Sequence, residues 1–190
     1  MKIAISGAHS QGKTTLVEAL KNQEFFKDYK FLTNLTRNLH NSGVSINEQG
    51  TEVTQLLVMT EHFKRLQEGN NLILDRCALD GCAYTLAVLN YNNDPNYFKI
   101  NNNHAYFEGM FNLAEYMLLK YDYIFYIKPE LPLVDDGIRT VNQNFFNNVV
   151  SRFETCINAA LPEIKKKIIV VSGSVEERVN QIVQKCKETK

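Results

Sequence analysis

A glycine-rich loop near the N-terminus constrains the fold of this chain more than any other feature. Residues 7–14 read GAHSQGKT and match G-x-x-x-x-G-K-[ST] at every fixed position. An apolar run at residues 3–6 predicts a strand before the loop, and the apolar spacing over residues 13–21 predicts a helix after it. This context is the one in which the motif binds phosphate, because backbone N–H groups and the positive helix end then face one anion.

Individual residues of the loop are expected to bind the phosphates of ATP. The ammonium of Lys13 is expected to contact the β- and γ-phosphates, and the hydroxyl of Thr14 is expected to bind Mg²⁺. The predicted phosphate-binding set is Gly7, Ser10, Gln11, Gly12, Lys13, Thr14 and Thr15. For His9 two alternatives stay open, namely contact with phosphate or substrate and exposure to solvent.

Strands and helices are predicted to alternate along the rest of the chain. The pattern predicts strands at residues 3–6, 29–33, 72–75, 123–127 and 167–171, and helices at 13–21, 52–68, 79–89, 105–120, 142–160 and 175–186. Alternation of this kind indicates an α/β protein with a mostly parallel sheet covered on both faces. The chain has no internal repeat or long linker, so we expect a single domain over residues 1–190.

The charge balance argues against broad binding to nucleic acid. Lys and Arg number 21, as do Asp and Glu, so the formal net charge is zero. Binding that ignores base sequence depends on a uniform basic field, which this chain lacks. The lysine run at residues 165–167 is interpreted as a solvated turn.

The chain also lacks the patterns of a membrane or secreted protein. No apolar run reaches the length of about 20 residues that spans a bilayer. Residues 1–5 lead into the glycine loop instead of a signal-peptide core. We therefore expect a cytoplasmic protein without a membrane partner. The four cysteines have no paired CxxC spacing and are expected to be reduced thiols: Cys77, Cys82, Cys156 and Cys186.

An acid and an arginine end the predicted third strand. Remodelling ATPases usually end this strand in two acids, whereas here Asp75 is followed by Arg76. A single acid suits phosphoryl transfer, in which Asp75 orients an acceptor hydroxyl or holds a metal, and Arg76 binds an anionic group. The alternatives are a helix cap for Asp75 and a surface ion pair for Arg76.

These residues belong to a longer pattern. Residues 75–84, DRCALDGCAY, resemble the D-R-x-x-x-D-x-x-A-Y segment of small P-loop proteins similar to the ribosylnicotinamide kinase domain, an AAA-domain family. The loop spelling G-A-H-S-x-G-K-T-T is typical of the same group, and the D-R pair is similar to that of thymidylate and deoxynucleoside kinases. The resemblance implies a three-layer P-loop NTPase fold with a five-stranded, mostly parallel sheet, in which the strand ending at Asp75 lies beside the phosphate-loop strand.

The resemblance also implies a lid and an adenine-side turn. The sequence DDGIR at residues 135–139 resembles the lid segment that presents an arginine, here Arg139, to the phosphates. We expect a short lid at residues 131–143, with Lys13, Asp75 and Arg139 as the catalytic residues. Arg152 is either a second cation from the following helix or an exposed helix arginine. Gly173 is expected near the adenine, with Ser174 capping the last helix.

The acceptor side departs from the related pattern. Residues 34–37, NLTR, stand where relatives tend to have E-x-x-R, so Arg37 matches and Asn34 does not. Asn34 can hydrogen-bond a ribose or base but cannot act as a carboxylate. The predicted acceptor-binding residues are Asn34, Arg37, Arg76 and Asp80, the last of which is expected at the cleft mouth or as a helix cap or surface acid.

The leading hypothesis is a kinase that transfers the γ-phosphoryl group of ATP, with Mg²⁺, to a small nucleoside or nucleoside monophosphate. One alternative is a regulatory protein that binds or slowly hydrolyses ATP. Another is a kinase that acts on a nucleotide within a nucleic acid. The aromatic residues between positions 91 and 107 could stack on an acceptor, pack in the core or form a homodimer contact.

Overall fold

Five parallel strands form the centre of the molecule. The computed structural model describes residues 1–89, 104–134 and 140–188. The strands lie in the order β2-β3-β1-β4-β5, and every neighbouring pair is parallel. Their bounds are β1 Lys2–Ser6, β2 Lys30–Leu32, β3 Leu72–Asp75, β4 Tyr123–Ile127 and β5 Ile168–Val171. Ile5 pairs with Asp75, so the strand that carries the acid lies beside the phosphate-loop strand, as the resemblance implied.

Eight α-helices connect the described strands and cover the sheet. Their bounds are α1 Lys13–Lys21, α2 Leu35–Asn41, α3 Glu52–Leu66, α4 Ala78–Val88, α5 His104–Leu118, α6 Gln143–Ala159, α7 Pro162–Lys165 and α8 Val175–Lys187. Short 3₁₀ turns occur at Glu24–Phe26 and Asn47–Gln49. The expected lid and the 90–103 segment fall partly or wholly outside the described residues, as do the aromatic residues at 91–98.

Alternate residues of the strands divide the core into two layers. Ile3, Ile5 and Ile73 face one side and pack with apolar residues of α1 and α8. Ala4 and Leu74 face the other side and pack with residues of α3, α4, α5 and α6. Both faces of a parallel sheet are therefore buried, which explains why β3 reads as a continuous apolar run. The predicted three-layer α/β fold is confirmed.

The predicted element pattern is also largely confirmed, with two helices missed: α2 at the acceptor side and the single turn α7 before β5. No helix was predicted after the strand at residues 29–33, but helix α2 begins at Leu35. Its only buried residue is Leu35, so no periodic apolar stripe signals a helix in the sequence. Asn34 precedes it in a left-handed conformation, with φ of 62°.

The last helix begins with the cap that was predicted for it. Ser174 Oγ accepts a hydrogen bond from the backbone N–H of Glu177 at 3.2 Å, and a Glu177 carboxylate oxygen accepts one from the Ser174 N–H at 2.7 Å. This reciprocal pair satisfies two backbone donors that a helix start leaves open. It fixes the turn at Gly173, which has a left-handed φ of 93°.

Two further observations concern the cysteines and the apolar character of the helices. All four cysteines are free thiols, and three of them are buried. Within the described ranges, no helix combines the length with the apolar character that crossing a bilayer requires.

His62 provides a pH-dependent term in stability. The side chain is 1% exposed, and burial together with the cations Arg65 and Arg76 lowers its pKa from 6.5 to about 3. Between these two values the unfolded chain binds a proton at His62 and the folded chain does not. The free energy of unfolding therefore falls as the pH decreases below about 6.5. One such group changes it by at most about 1.4 kcal/mol per pH unit.

Chemical denaturation between pH 7 and 4 tests this term. We expect the unfolding free energy of wild type to decrease more steeply than that of His62→Leu, which cannot titrate. His40→Gln, at an exposed position, is the matched control and should follow wild type. Parallel curves for wild type and His62→Leu would show that His62 is not the group responsible.

Candidate active site

The phosphate loop is shaped by residues with left-handed backbone. Gly7 has a φ of 142°, and a Cβ added there would lie 2.9 Å from the carbonyl oxygen of Ile127, so only glycine fits against β4. Gly12, with φ of 75°, precedes α1, and Ser10 has φ of 60°. Lys13 is 5% exposed, and its ammonium donates to the Ala8 carbonyl at 2.6 Å. The lysine therefore lies across the loop whose backbone is expected to hold phosphate.

Thr14 at the start of α1 and Asp75 at the end of β3 bring two oxygen atoms together that could hold a metal. The Thr14 hydroxyl donates to Asp75 Oδ2 at 2.8 Å. Asp75 Oδ1 is buried and has no hydrogen-bond partner among the residues that the structure describes. Hydroxyl and carboxylate oxygens are the ligands that Mg²⁺ prefers, and the unpartnered oxygen fits the predicted metal site.

A cleft of about 200 Å³ lies beside this pair, and it brings three of the predicted acceptor residues to the acid. Asn34, Arg37 and Arg76 line it together with Asp75. The remaining lining residues are His9, Thr14, Leu35, Thr36, Ile46 and Asn47. A larger apolar cavity of about 430 Å³ between α4, α5 and α6 contains none of the predicted site residues. We therefore assign the site to the smaller, polar cleft.

Backbone strain is concentrated in the same cleft. Among the described residues, four other than glycine have left-handed φ, and three of these line the cleft: Asn34 at 62°, Asn47 at 56° and Arg76 at 78°. Asparagine adopts this conformation at little cost, but arginine rarely does. Strain of this kind clusters at functional sites.

Asp80 connects Arg76 to the phosphate loop. Its carboxylate is 2% exposed and accepts hydrogen bonds from the Ser6 hydroxyl at 2.7 Å and the Gly7 N–H at 3.3 Å. It also accepts from the Cys77 N–H at 3.1 Å and contacts Arg76 Nη1 at 3.3 Å. Asp80 is therefore not the surface acid of one alternative, and its bond from the Cys77 N–H at the start of α4 bears out the helix-cap alternative. Because both oxygens are occupied, the geometry favours a positioning role over direct contact with an acceptor.

The cationic form of Arg76 is held by its surroundings. Burial alone would lower the pKa of this guanidinium, but Tyr84, Asp80 and Asp75 raise the pKa above its ordinary value. The guanidinium also lies over the Tyr84 ring, 5.4 Å from the ring centre. Arg76 is thus a largely buried, oriented cation, with 14% of its side chain exposed, and not the surface ion pair of the alternative.

His9 lies inside the molecule, which overturns the alternative of solvent exposure. It is 1% exposed and packs against Phe145 and Phe146 of α6. Its backbone N–H donates to the Tyr84 hydroxyl at 3.0 Å, and its Nδ1 lies 2.9 Å from the same hydroxyl. Tyr84 therefore contacts the phosphate loop through its hydroxyl and Arg76 through its ring.

Other predicted residues take different positions. The Gln11 side chain is buried and bonds to the backbone of Glu130 and Leu131, so only its backbone can face phosphate. Arg152 is 9% exposed and its Nε donates to Asn148, which contradicts the exposed alternative. Arg139 lies outside the described residues.

Two further predicted residues lie at the start of helices. Thr15 is exposed on the first turn of α1, directly after the metal-site threonine. The Gly173 N–H donates to Glu130 Oε2 at 2.9 Å.

Sequence reasoning missed Tyr84, Glu130 and Arg178 as parts of the site. Arg178 is 2% exposed and donates to the Gln11 carbonyl at 2.9 Å. The available signal was its place in α8, where it shares the buried face with Val179, Ile182 and Cys186. A charged residue in an otherwise apolar helical stripe needs a buried partner.

The strand order, with a phosphate loop after the central strand, places this chain among the P-loop α/β proteins. A family profile described as an AAA domain matches residues 2–178. The chain therefore belongs to this AAA domain family. No curated protein matches it in sequence.

Several solved structures share the fold at low sequence identity. A thymidylate kinase from Candida albicans is 18% identical, with a TM-score of 0.61 over 98% of this chain and 91% of that one. A deoxyadenosine kinase from M. mycoides is 17% identical, with a TM-score of 0.65 over the full length of both chains. The NadR protein in complex with NR is 15% identical, with a TM-score of 0.68 over 98% of this chain and 50% of that one.

Proposed function

We propose that this protein is an ATP-dependent kinase that phosphorylates a small nucleoside or nucleoside monophosphate. The observation that carries the proposal is the polar cleft, in which Asp75 and Thr14 at the phosphate loop lie with Asn34, Arg37 and Arg76. A donor loop and an acceptor cleft that share one carboxylate suit direct transfer between two bound molecules. The fold shared with a thymidylate kinase and a deoxyadenosine kinase supports the same proposal.

In the proposed reaction an acceptor oxygen attacks the γ-phosphorus of ATP; it is a hydroxyl oxygen of a nucleoside or a phosphate oxygen of a nucleoside monophosphate. The new bond joins the acceptor oxygen to phosphorus, the bond to the β–γ bridging oxygen breaks, and ADP leaves. When the acceptor is a nucleoside, its hydroxyl proton needs a base near the cleft, and the unpartnered Oδ1 of Asp75 is suited to receive it. The Lys13 ammonium neutralises charge on the transferred group, and Arg139 is proposed to add a second cation from a lid at residues 131–143.

The donor side is proposed to hold ATP and Mg²⁺. Backbone N–H groups of the phosphate loop would bind the phosphates, and Gly173 would lie near the adenine. Thr14 would hold the metal, together with Asp75 where that carboxylate serves as a metal ligand instead of the base. The metal, when bound, neutralises phosphate charge during transfer. We further propose a single domain over residues 1–190 and a cytoplasmic location.

The acceptor is proposed to be small. The cleft, at about 200 Å³, is a confined space. Pockets for small ligands usually have volumes of roughly 300–1,000 Å³, and this cleft is smaller than that range. It therefore suits one nucleoside-sized molecule better than a nucleic-acid strand. Asn34 offers an amide in place of a carboxylate, and Arg76 offers an oriented cation. The similar structures, a thymidylate kinase, a deoxyadenosine kinase and a protein in complex with NR, direct the choice of substrates to thymidylate, deoxyadenosine and NR.

A transfer assay tests the proposal. The purified protein is mixed with γ-labelled ATP, Mg²⁺ and, in turn, thymidine, thymidylate, deoxyadenosine, deoxycytidine, ribosylnicotinamide and a short oligonucleotide. The first five are the small acceptors. We expect label to pass to at least one of them. Label that passes only to water would overturn the kinase proposal and support a regulatory ATPase, and label that passes only to an oligonucleotide end would support a kinase acting on nucleic acid.

The contact between Tyr84 and the phosphate loop yields a further prediction. Tyr84→Phe removes the hydroxyl that meets His9 and keeps the ring against Arg76. We expect the Kd for Mg·ATP to rise roughly 5- to 30-fold, because about 1–2 kcal/mol of hydrogen bonding to the loop is lost. Titration calorimetry measures the change.

The control for this experiment is Tyr116→Phe. Tyr116 is 50% exposed on α5, and the variant should bind ATP as wild type does. A Tyr84→Phe protein with unchanged ATP affinity would show that the His9 contact does not hold the loop.

A further inference from the structure

A buried guanidinium lies directly against the phosphate loop, on the helix that follows β5. Arg178 Nη1 donates to the Gln11 carbonyl at 2.9 Å and would lie 3.7 Å from a Cβ placed on Gly12. Its Nη2 donates to Glu130 Oε2 at 3.0 Å. None of the residues lining the acceptor cleft belongs to this cluster. The guanidinium is therefore a second cation close to the loop, in addition to Lys13.

Glu130 extends the contact to a third segment. The carboxylate oxygen that meets Arg178 also accepts a hydrogen bond from the Gly173 N–H at 2.9 Å. The hydrogen bond from Gly173, followed by that from Arg178, lowers the pKa of Glu130, so the carboxylate stays charged. One ion pair thus joins the phosphate loop to the turn between β5 and α8.

The Gln11 side chain also binds the phosphate loop to the segment that contains Glu130. Its side-chain oxygen accepts from the N–H groups of Glu130 and Leu131, both at 2.8 Å, and its amide donates to the Leu131 carbonyl at 2.8 Å. The Gln11 backbone is therefore held by Arg178 while its side chain is held by residues 130–131. Residue 131 also begins the proposed lid.

Burying a cation lowers the stability of the folded state, so the presence of Arg178 in the core calls for another explanation. Arg178 is 2% exposed, and its carboxylate partner Glu130 is 32% exposed. A buried arginine with one such partner is seldom better for stability than an apolar side chain of similar size. Next to a loop that binds polyanions, however, the charge and the fixed backbone both favour the bound ligand. A role in phosphate binding at the donor site therefore explains the buried guanidinium of Arg178 better than a contribution to core stability does.

We propose that Arg178 is a positioning residue of the donor site, which holds the backbone at Gln11 and Gly12 in its phosphate-binding conformation and ties it, through Glu130, to the turn at Gly173. The proposal rests on the proposed binding of ATP at the phosphate loop. It assigns Arg178 no contact with the acceptor.

The test compares Mg·ATP binding and steady-state kinetics of the intact protein. We expect Arg178→Met to raise the Kd for Mg·ATP and the KM for ATP about 10- to 100-fold, with the KM for the acceptor changed less than twofold. Arg178→Lys keeps the charge but cannot span both partners, and its Kd should lie between those of wild type and Arg178→Met. Ile182→Ala is the matched control, since Ile182 is fully buried in the apolar core on the same helix and takes no part in these hydrogen bonds. It should lower the melting temperature and leave the Kd unchanged.

Glu130→Gln keeps the test decisive if Arg178→Met does not fold, because the Glu130 side chain is about one-third exposed and tolerates the change. We expect its Kd for Mg·ATP to rise about 3- to 10-fold. A folded Arg178→Met or Glu130→Gln protein that binds Mg·ATP within twofold of wild type would overturn the positioning role of Arg178 and leave the proposed function standing. A wild-type protein that does not bind Mg·ATP would instead overturn the donor site of the proposed function and the inference with it.

Discussion

Replacing Lys13 with alanine is expected to abolish phosphoryl transfer. The ammonium is 5% exposed, lies across the phosphate loop and is positioned by the Ala8 carbonyl at 2.6 Å. In a site that excludes water, an oriented cation stabilises developing charge far more than it would in solvent, and loss of one such group costs about 100- to 1000-fold in turnover. Lys13 is also expected to hold the β- and γ-phosphates in place, so ATP binding should weaken in addition.

The measurement is a single-turnover transfer assay with labelled ATP and the acceptor found in the substrate panel. Lys21→Ala is the control, because Lys21 lies at the other end of α1 and forms an exposed ion pair with Glu18. It should transfer label at the wild-type rate. A Lys13→Ala protein that retains more than a tenth of that rate would remove Lys13 from the catalytic role.

Asp75→Asn should preserve ATP binding and lower turnover about 100- to 10000-fold, the usual contribution of a general base. The amide oxygen can still accept the Thr14 hydroxyl, so the shape of the site is kept while the negative charge is lost. The KM for ATP should therefore change much less than kcat. Rapid-quench measurement of the transfer step separates the two parameters.

Magnesium titration of the same variant distinguishes the two roles open to Asp75. If the carboxylate is the base, the Mg²⁺ concentration at half-maximal rate stays the same. If it is a metal ligand, that concentration rises and excess Mg²⁺ restores part of the rate. Asp28→Asn, an equal change of charge at an exposed position, should behave as wild type in both assays. Equal turnover in Asp75→Asn and wild type would exclude both roles.

The fold could be predicted from the sequence because its signals are local. The run LILD at β3 and the loop GAHSQGKT between strand and helix carry their own context, and both occur where they were expected. Asn34, Arg37, Asp75 and Arg76 line one cleft. For Asn34 and Arg37 this grouping was implied by the resemblance, and it fits the meeting of parallel strand ends at one edge of the sheet. Helix α2 was missed because it has a single buried residue.

The contacts behind the cleft could not be predicted in the same way. His9 and Tyr84 are 75 positions apart, and Gln11 and Arg178 are 167 apart, so no spacing rule connects them. Whether Asp80 faces a ligand or supports the phosphate loop depends on how the start of α4 packs against Ser6 and Gly7. Such roles follow from the packing of elements, which a single sequence does not encode in a readable pattern.

The left-handed backbone at Arg76 marks a conflict between local preference and chemistry. The φ at this position is 78°. Glycine or asparagine would suit such a backbone, and an arginine there is locally frustrated. Natural sequences keep such conflicts where they serve a site and remove them elsewhere. Position 76 is therefore one at which a design method that optimises backbone compatibility alone would replace the residue, and would lose the oriented cation of the cleft by doing so.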